Sequence, residues 1–125
     1  MILKDRDTEF KFVVYDSNRV EGLGSDDYWC QIVLTLHNTD VNFVLDYYML
    51  SRNELIYLKE KLIQLIQGDI DKRERVSFIK NFLVIYLDGA KKEMKIKLVH
   101  INYKKINYVI YFSCDEVKKF IEMLN

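Results

Sequence analysis

Apolar and polar residues alternate along the first fifty positions of this chain, a pattern typical of β-strands with one buried side. The pattern predicts three strands, over residues 9–15, 28–37 and 41–50. The apolar side of the second strand consists of Tyr28, Cys30, Ile32, Leu34 and Leu36. Residues 37–40, with Asn38 and Asp40, are typical of a turn. The second and third strands are therefore predicted to form an antiparallel hairpin.

Alternation returns in the second half of the chain with a less regular outline. Residues 76–79 and 82–87 are expected to form one strand or a bent pair, after a charged connection over residues 69–75. Asp88-Gly89 is a turn signal, and residues 93–101 alternate again. Residues 102–107 are expected to turn the chain into a last strand over residues 108–112.

Two segments change to helical spacing, and each follows a strand through the same capping signal. The two signals are Ser51-Arg52-Asn53-Glu54 and Ser113-Cys114-Asp115-Glu116. A serine followed three residues later by glutamate forms a capping box, in which each side chain bonds the other residue's backbone N–H. Apolar stripes follow both signals, at Leu55, Leu58, Leu62, Leu65 and Ile66, and at Val117, Phe120, Ile121 and Leu124. Gly68 lies where the first helix should end.

The predicted order is βββα followed by ββ(β)α, which favours an α+β fold in one domain over residues 1–125. We expect a single antiparallel sheet of about six strands with both helices packed on one face. The other face should then be free. It should carry Trp29, Gln31, Thr35, Asp46, Tyr48, Lys95 and Lys97.

Charge is balanced overall but divided along the chain. Residues 1–50 hold four Lys or Arg against nine Asp or Glu, a net charge of −5, and residues 51–125 hold fifteen against ten, a net charge of +5. The acidic excess concentrates in residues 16–27, which are expected to form a loop. The basic excess lies at Lys91, Lys92, Lys95, Lys97, Lys104 and Lys105. Such a division can steer a charged partner, or the two halves can neutralise each other in the fold.

The N-terminal residues have no apolar core of a signal peptide, and no stretch approaches the length of a membrane-spanning helix. Two cysteines are too few for a disulfide framework. These features predict a cytoplasmic protein that does not associate with membranes.

Catalytic and metal-binding signatures do not emerge from the residue spacing. His37 and His100 have no neighbouring ligands at metal-binding spacing, so neither a metal nor another cofactor is expected. The acidic segment fails the calcium-loop pattern, because its sixth residue is Glu21 and not glycine. Cys114 lies in the first turn of a predicted helix, but a nucleophile also needs a positioned base, so its reactivity stays open. The sequence favours a binding protein over an enzyme, although scattered carboxylates could form a site without any motif.

Seventeen aromatic residues, nine Tyr, seven Phe and one Trp, are the most informative part of the composition. Tyr and Trp are favoured at protein interfaces, which predicts a protein partner or self-association through the free sheet face. The acidic segment over residues 16–27 is the alternative interface. Aromatic residues beside lysines also suit nucleic acid, so a nucleic-acid-binding or regulatory role for the Lys91–Lys105 segment is the second hypothesis.

The layout over residues 9–124 resembles the WapI-type bacterial immunity proteins and their uncharacterised relatives. The resemblance rests on the strand opening Tyr28-Trp29, on Ser51-x-x-Glu54-Leu55, and on Ser113-x-x-Glu116-Val117 leading to a helix with Phe120. The Gly/Trp-rich segment that many relatives carry between the halves is replaced here by the charged residues 69–75. The resemblance implies a non-enzymatic function: binding and neutralising a cognate toxin domain in the cytoplasm of the producing cell.

Overall fold

Strands and helices follow one another in the order that the alternation predicts, but with more strands. The computed structural model describes residues 1–3, 7–21, 28–101 and 104–124, and the side chains of residues 16–21, 100, 101, 104 and 106 lie outside that description. Within these ranges there are eight strands and two helices, arranged as four strands, a helix, four strands and a helix. The predicted α+β class with antiparallel sheets is confirmed.

The first sheet contains the predicted hairpin. Its strands, paired in sequential antiparallel order, are β1 (Ile2–Leu3), β2 (Thr8–Glu21), β3 (Tyr28–His37) and β4 (Asn42–Ser51). Phe12 pairs with Leu34, which pairs with Leu45, so one apolar row crosses the sheet on its buried side. The register shifts between Cys30 and Gln31, where β4 carries one extra residue. β2 continues to Glu21, so the prediction of a loop over residues 16–21 is wrong; residues 22–27 lie outside the described residues.

The second sheet also forms a sequential antiparallel meander. Its strands are β5 (Arg73–Val76), β6 (Leu83–Asp88), β7 (Glu93–Ile101) and β8 (Lys104–Phe112). The bounds of β7 match the prediction. The connection expected over residues 69–75 ends in a strand instead, residues 77–82 are not strand, and β8 begins within the segment expected to turn.

The capping signals place both helices where the sequence predicts them, as α1 (Arg52–Gln67) and α2 (Cys114–Met123). Ser51 Oγ accepts from Glu54 N at 3.2 Å, and Ser51 N donates to Glu54 Oε1 at 3.0 Å. Ser113 and Glu116 repeat these two bonds at 3.4 and 2.9 Å. Gly68 ends α1 in the left-handed conformation, with φ of 82°. Neither helix has the length and apolar character needed to cross a membrane.

The two sheets and two helices share one hydrophobic core, which corrects the expectation of a single sheet. Phe120 of α2 lies 5.2 Å from Phe12 of the first sheet and 5.7 Å from Phe112 of the second, measured between ring centroids. Phe10 and Phe112 also meet directly, edge to face, at 5.1 Å. α2 therefore packs against both sheets, and the helices do not lie on one face of a single sheet.

An ion pair joins α1 to the edge strand that sequence reasoning missed. Glu74 pairs with the buried Leu87 across β5 and β6, and its carboxylate accepts from Lys61 Nζ of α1 at 2.9 Å. This hydrogen bond is the main cause that raises the pKa of Lys61 above its ordinary value of 10.5. Charged side chains on edge strands are a common protection against unwanted pairing, which explains why β5 lacks an apolar strand pattern.

Candidate functional site

The side of the first sheet that faces away from the core carries most of the predicted binding residues. Side chains alternate between the two sides of a strand, so the residues between the buried ones point outward. We call this surface the first outer face. It consists of Glu9, Lys11, Val13, Tyr15, Trp29, Gln31, Val33, Thr35, Val44, Asp46 and Tyr48.

The first outer face exposes apolar side chains on β2 and β4, the two strands that flank β3. Val13 is 40% exposed, Tyr15 46% and Val44 53%. Val13 pairs with the half-buried Val33, so these two valines form an apolar pair, and the exposed Asp46 follows in the same row. Single exposed apolar residues are normal, but several on one face of a sheet favour a contact surface.

Polar groups on the first outer face are held in place. Gln31 Nε2 donates to Asp46 Oδ1 at 2.8 Å, across the β3–β4 pair. At the end of the sheet, Lys11 Nζ lies 3.6 Å from Glu9 Oε1. Ordered polar groups beside exposed apolar ones resemble the mixed surface of a protein interface.

Trp29 and Tyr48 lie on the first outer face but are only half-exposed. Lys80 crosses this end of the sheet: its Nζ lies 4.3 Å from the centroid of the Trp29 ring and donates to the Tyr48 carbonyl at 2.6 Å. A cation over an aromatic ring is attracted to it. Trp29 is therefore partly covered, and the most accessible apolar contacts are Tyr15, Val13 and Val44.

Lys95 and Lys97 belong to a different surface, which corrects the expectation of one free face. Both lie on β7, on the side of the second sheet away from the core. We call this surface the second outer face. It consists of Arg73, Arg75, Val84, Tyr86, Asp88, Glu93, Lys95, Lys97, Val109 and Tyr111. The seven predicted residues are thus divided between two faces, five on the first and two on the second.

The division of charge along the chain becomes a division between the sheets. The first sheet lies within residues 2–51, the acidic half, and the second within residues 73–112, in the basic half. Each ion pair among the described residues joins two residues of the same half: Glu9–Lys11, Lys61–Glu74, Arg73–Asp88 and Asp115–Lys118. The two sheets are thus formed by halves of the chain that have opposite net charge.

The described residues include no group of three or more His, Cys, Asp or Glu side chains that could hold a metal ion. Cys30 is buried and Cys114 half-buried, and neither forms a disulfide. His37 is exposed at the end of β3. The side chains of His100 and Lys104, which the sequence singled out, lie outside the described residues.

Sequence reasoning missed the outward residues of β2 and of the second sheet. The alternation that places Phe10, Phe12 and Val14 inside also places Val13 and Tyr15 outside, so the signal for these two was present. The sequence contains no such signal for Arg75, because residues 73–76 do not alternate between apolar and polar side chains. Its position opposite Tyr86 depends on a strand pairing that only the structure reveals.

Comparison of the chain with known protein families, with curated proteins and with solved structures finds no significant match.

Proposed function

We propose that this chain is a non-enzymatic protein-binding domain that acts as an immunity protein and neutralises a cognate bacterial toxin domain by binding it. The observation that carries the proposal is the group of exposed apolar side chains on the first outer face, Val13, Tyr15 and Val44. Val13 and Tyr15 lie on β2 and Val44 lies on β4, the two strands that flank β3 in a sheet whose other side is in the core. A rigid face of this kind can cover a partner's site without a large change of shape.

Charge supports the same role. The first sheet belongs to the half of the chain with a net charge of −5, and its outer face includes the exposed Asp46. A basic toxin surface would be attracted to it, and such attraction speeds capture more than it strengthens the final complex. The resemblance to immunity proteins in the Tyr28-Trp29 strand opening and the two capping boxes agrees with this proposal.

The test is co-expression with the toxin candidate encoded beside this chain's gene. We expect the chain to restore growth of the host and to co-purify with the toxin. Tyr15→Ala combined with Val44→Asp should weaken binding at least tenfold, because central apolar contacts account for most interface energy. The matched control is Tyr111→Ala, which removes a tyrosine of similar exposure from the other sheet and should leave neutralisation unchanged.

Two results would overturn the proposal. One is that the neighbouring genes encode no toxin that the purified chain binds. The other is a dimer that Val44→Asp dissociates, because the first outer face would then be occupied by a second copy of the chain.

A further inference from the structure

The second outer face contains one row that crosses all four strands of its sheet. Arg75 pairs with Tyr86, Tyr86 with Lys95, and Lys95 with Tyr111. Cationic and aromatic side chains therefore alternate across the row, which spans about 14 Å at the usual distance between strands. A groove of about 440 Å³ lies along it, lined by these four residues together with Lys91 and Glu93 among others.

The side chains of the row differ in their contacts and in their exposure to solvent. Lys95 Nζ lies 4.7 Å from the centroid of the Tyr86 ring, which holds the ammonium over the sheet. Tyr111 is 53% exposed, so its ring is open to solvent. Arg75 is exposed as well. Among the described residues, no carboxylate lies within ion-pair distance of Arg75, Lys95 or Lys97.

Two carboxylates share this face with four cations, which leaves a net charge of +2. Asp88 Oδ2 lies 3.8 Å from Arg73 Nε, and its other oxygen accepts from the backbone of Ala90 and Lys91. Glu93 lies at the start of β7. The remaining cations, Arg75, Lys95 and Lys97, are therefore available to an anion.

From this arrangement we infer that the second outer face binds single-stranded nucleic acid. A base stacks on Tyr111, while Lys95, Arg75 and Lys97 contact the phosphates on either side, and Tyr86 positions Lys95. Aromatic platforms beside cations bind single strands because every base has a face to stack and every linkage carries a charge. Four-stranded sheets use their open side in the same way for RNA. This function is additional to the proposed binding of a toxin, which uses the other sheet.

The test is fluorescence anisotropy with labelled single strands of eight thymidylates or eight uridylates, at 50 and 200 mM salt. Contacts of three cations with phosphates predict a loss of affinity of about 20-fold between these salt concentrations. Tyr111→Ala should weaken binding about 5- to 150-fold, the range for losing one stacked base. Lys95→Glu should abolish it. Binding of either strand supports the inference, and the comparison shows whether the 2′-hydroxyl contributes.

The matched control is Tyr15→Ala, which removes an equally accessible tyrosine from the first outer face and should leave the affinity for the strand unchanged. Equal loss on Tyr15→Ala and Tyr111→Ala would overturn the inference, as would no binding at 50 mM salt. Binding of polyglutamate with the same affinity would also overturn it, because charge alone would then be recognised. Tyr111→Ala is the control in the toxin test and Tyr15→Ala is the control here, so failure of one proposal is distinguishable from failure of the other.

Discussion

Single residues decide how closely the connection after α1 can approach the turn after β6. Gly89 is buried in that turn and donates its N–H to the Lys72 carbonyl at 3.0 Å. A Cβ at this position would lie only 2.1 Å from the Ile70 carbonyl oxygen, which is backbone and cannot rotate away. The sequence marks Asp88-Gly89 as a turn, but the reason for the glycine is this close approach.

Gly89→Ala should lower the free energy of unfolding by about 3 kcal/mol, because backbone must move to make room. Gly68→Ala is the matched control. Gly68 has a φ of 82°, yet its added Cβ would meet only the Lys92 side chain at 3.9 Å, so the cost is conformational, about 1 kcal/mol. Urea unfolding of both variants measures the difference. Equal decreases in the free energy of unfolding would mean that the backbone at Ile70 can move away at little energetic cost.

At the scale of elements, one glutamate joins the start of α1 to the second half of the chain. Glu54 Oε1 closes the capping box with Ser51, and its Oε2 accepts from the backbone N–H of Ile79 at 2.9 Å. Ile79 lies in the connection between β5 and β6. The cap thus both begins the helix and holds a segment of the second half.

Glu54→Ala should lower the free energy of unfolding by about 2 kcal/mol, since two hydrogen bonds to a charged group are lost. Glu60→Ala, at an exposed position of the same helix, serves as the comparison and should change stability by less than about 0.5 kcal/mol. Thermal unfolding monitored by circular dichroism measures both. A loss no larger than that of Glu60→Ala would contradict the role given to Glu54.

At the scale of the whole molecule, the aromatic cluster makes the two sheets depend on each other. Phe120 contacts Phe10, Phe12 and Phe112, so one side chain of α2 touches both sheets. It is fully buried. Each half is a four-stranded meander closed by a capped helix, yet the buried residues of both halves belong to one hydrophobic cluster.

Phe120→Ala should therefore cost about 3 to 5 kcal/mol and destabilise both sheets together. Trp29, the sole tryptophan, reports on the first sheet by fluorescence, while circular dichroism reports on the whole chain. The two signals should change at the same denaturant concentration in the wild type and in the variant. A fluorescence transition that stays in place while circular dichroism shifts would mean that the halves fold independently.

Features that depend only on residues close together in the chain could be predicted from the sequence. Period-two alternation placed β3, β4 and β7, since one buried side requires it, and the pairs Ser51–Glu54 and Ser113–Glu116 placed the helix starts, since capping bonds span only three residues. It also placed Trp29, Gln31, Thr35, Asp46 and Tyr48 on one outward side, as the registers confirm.

The division of the strands between two sheets depends on packing in three dimensions and could not be predicted from the sequence. Alternation shows that a strand has a buried side but not which strand lies next to its edge, because backbone hydrogen bonds carry no residue identity. The pattern is therefore the same for one sheet of six strands and for two sheets of four around shared helices. The charged strand β5 became visible only through its pairing with β6 and the Lys61–Glu74 contact. For the same reason Lys95 and Lys97 were assigned to the wrong face: a binding surface is made of neighbouring strands, and strand neighbours are set by packing in three dimensions.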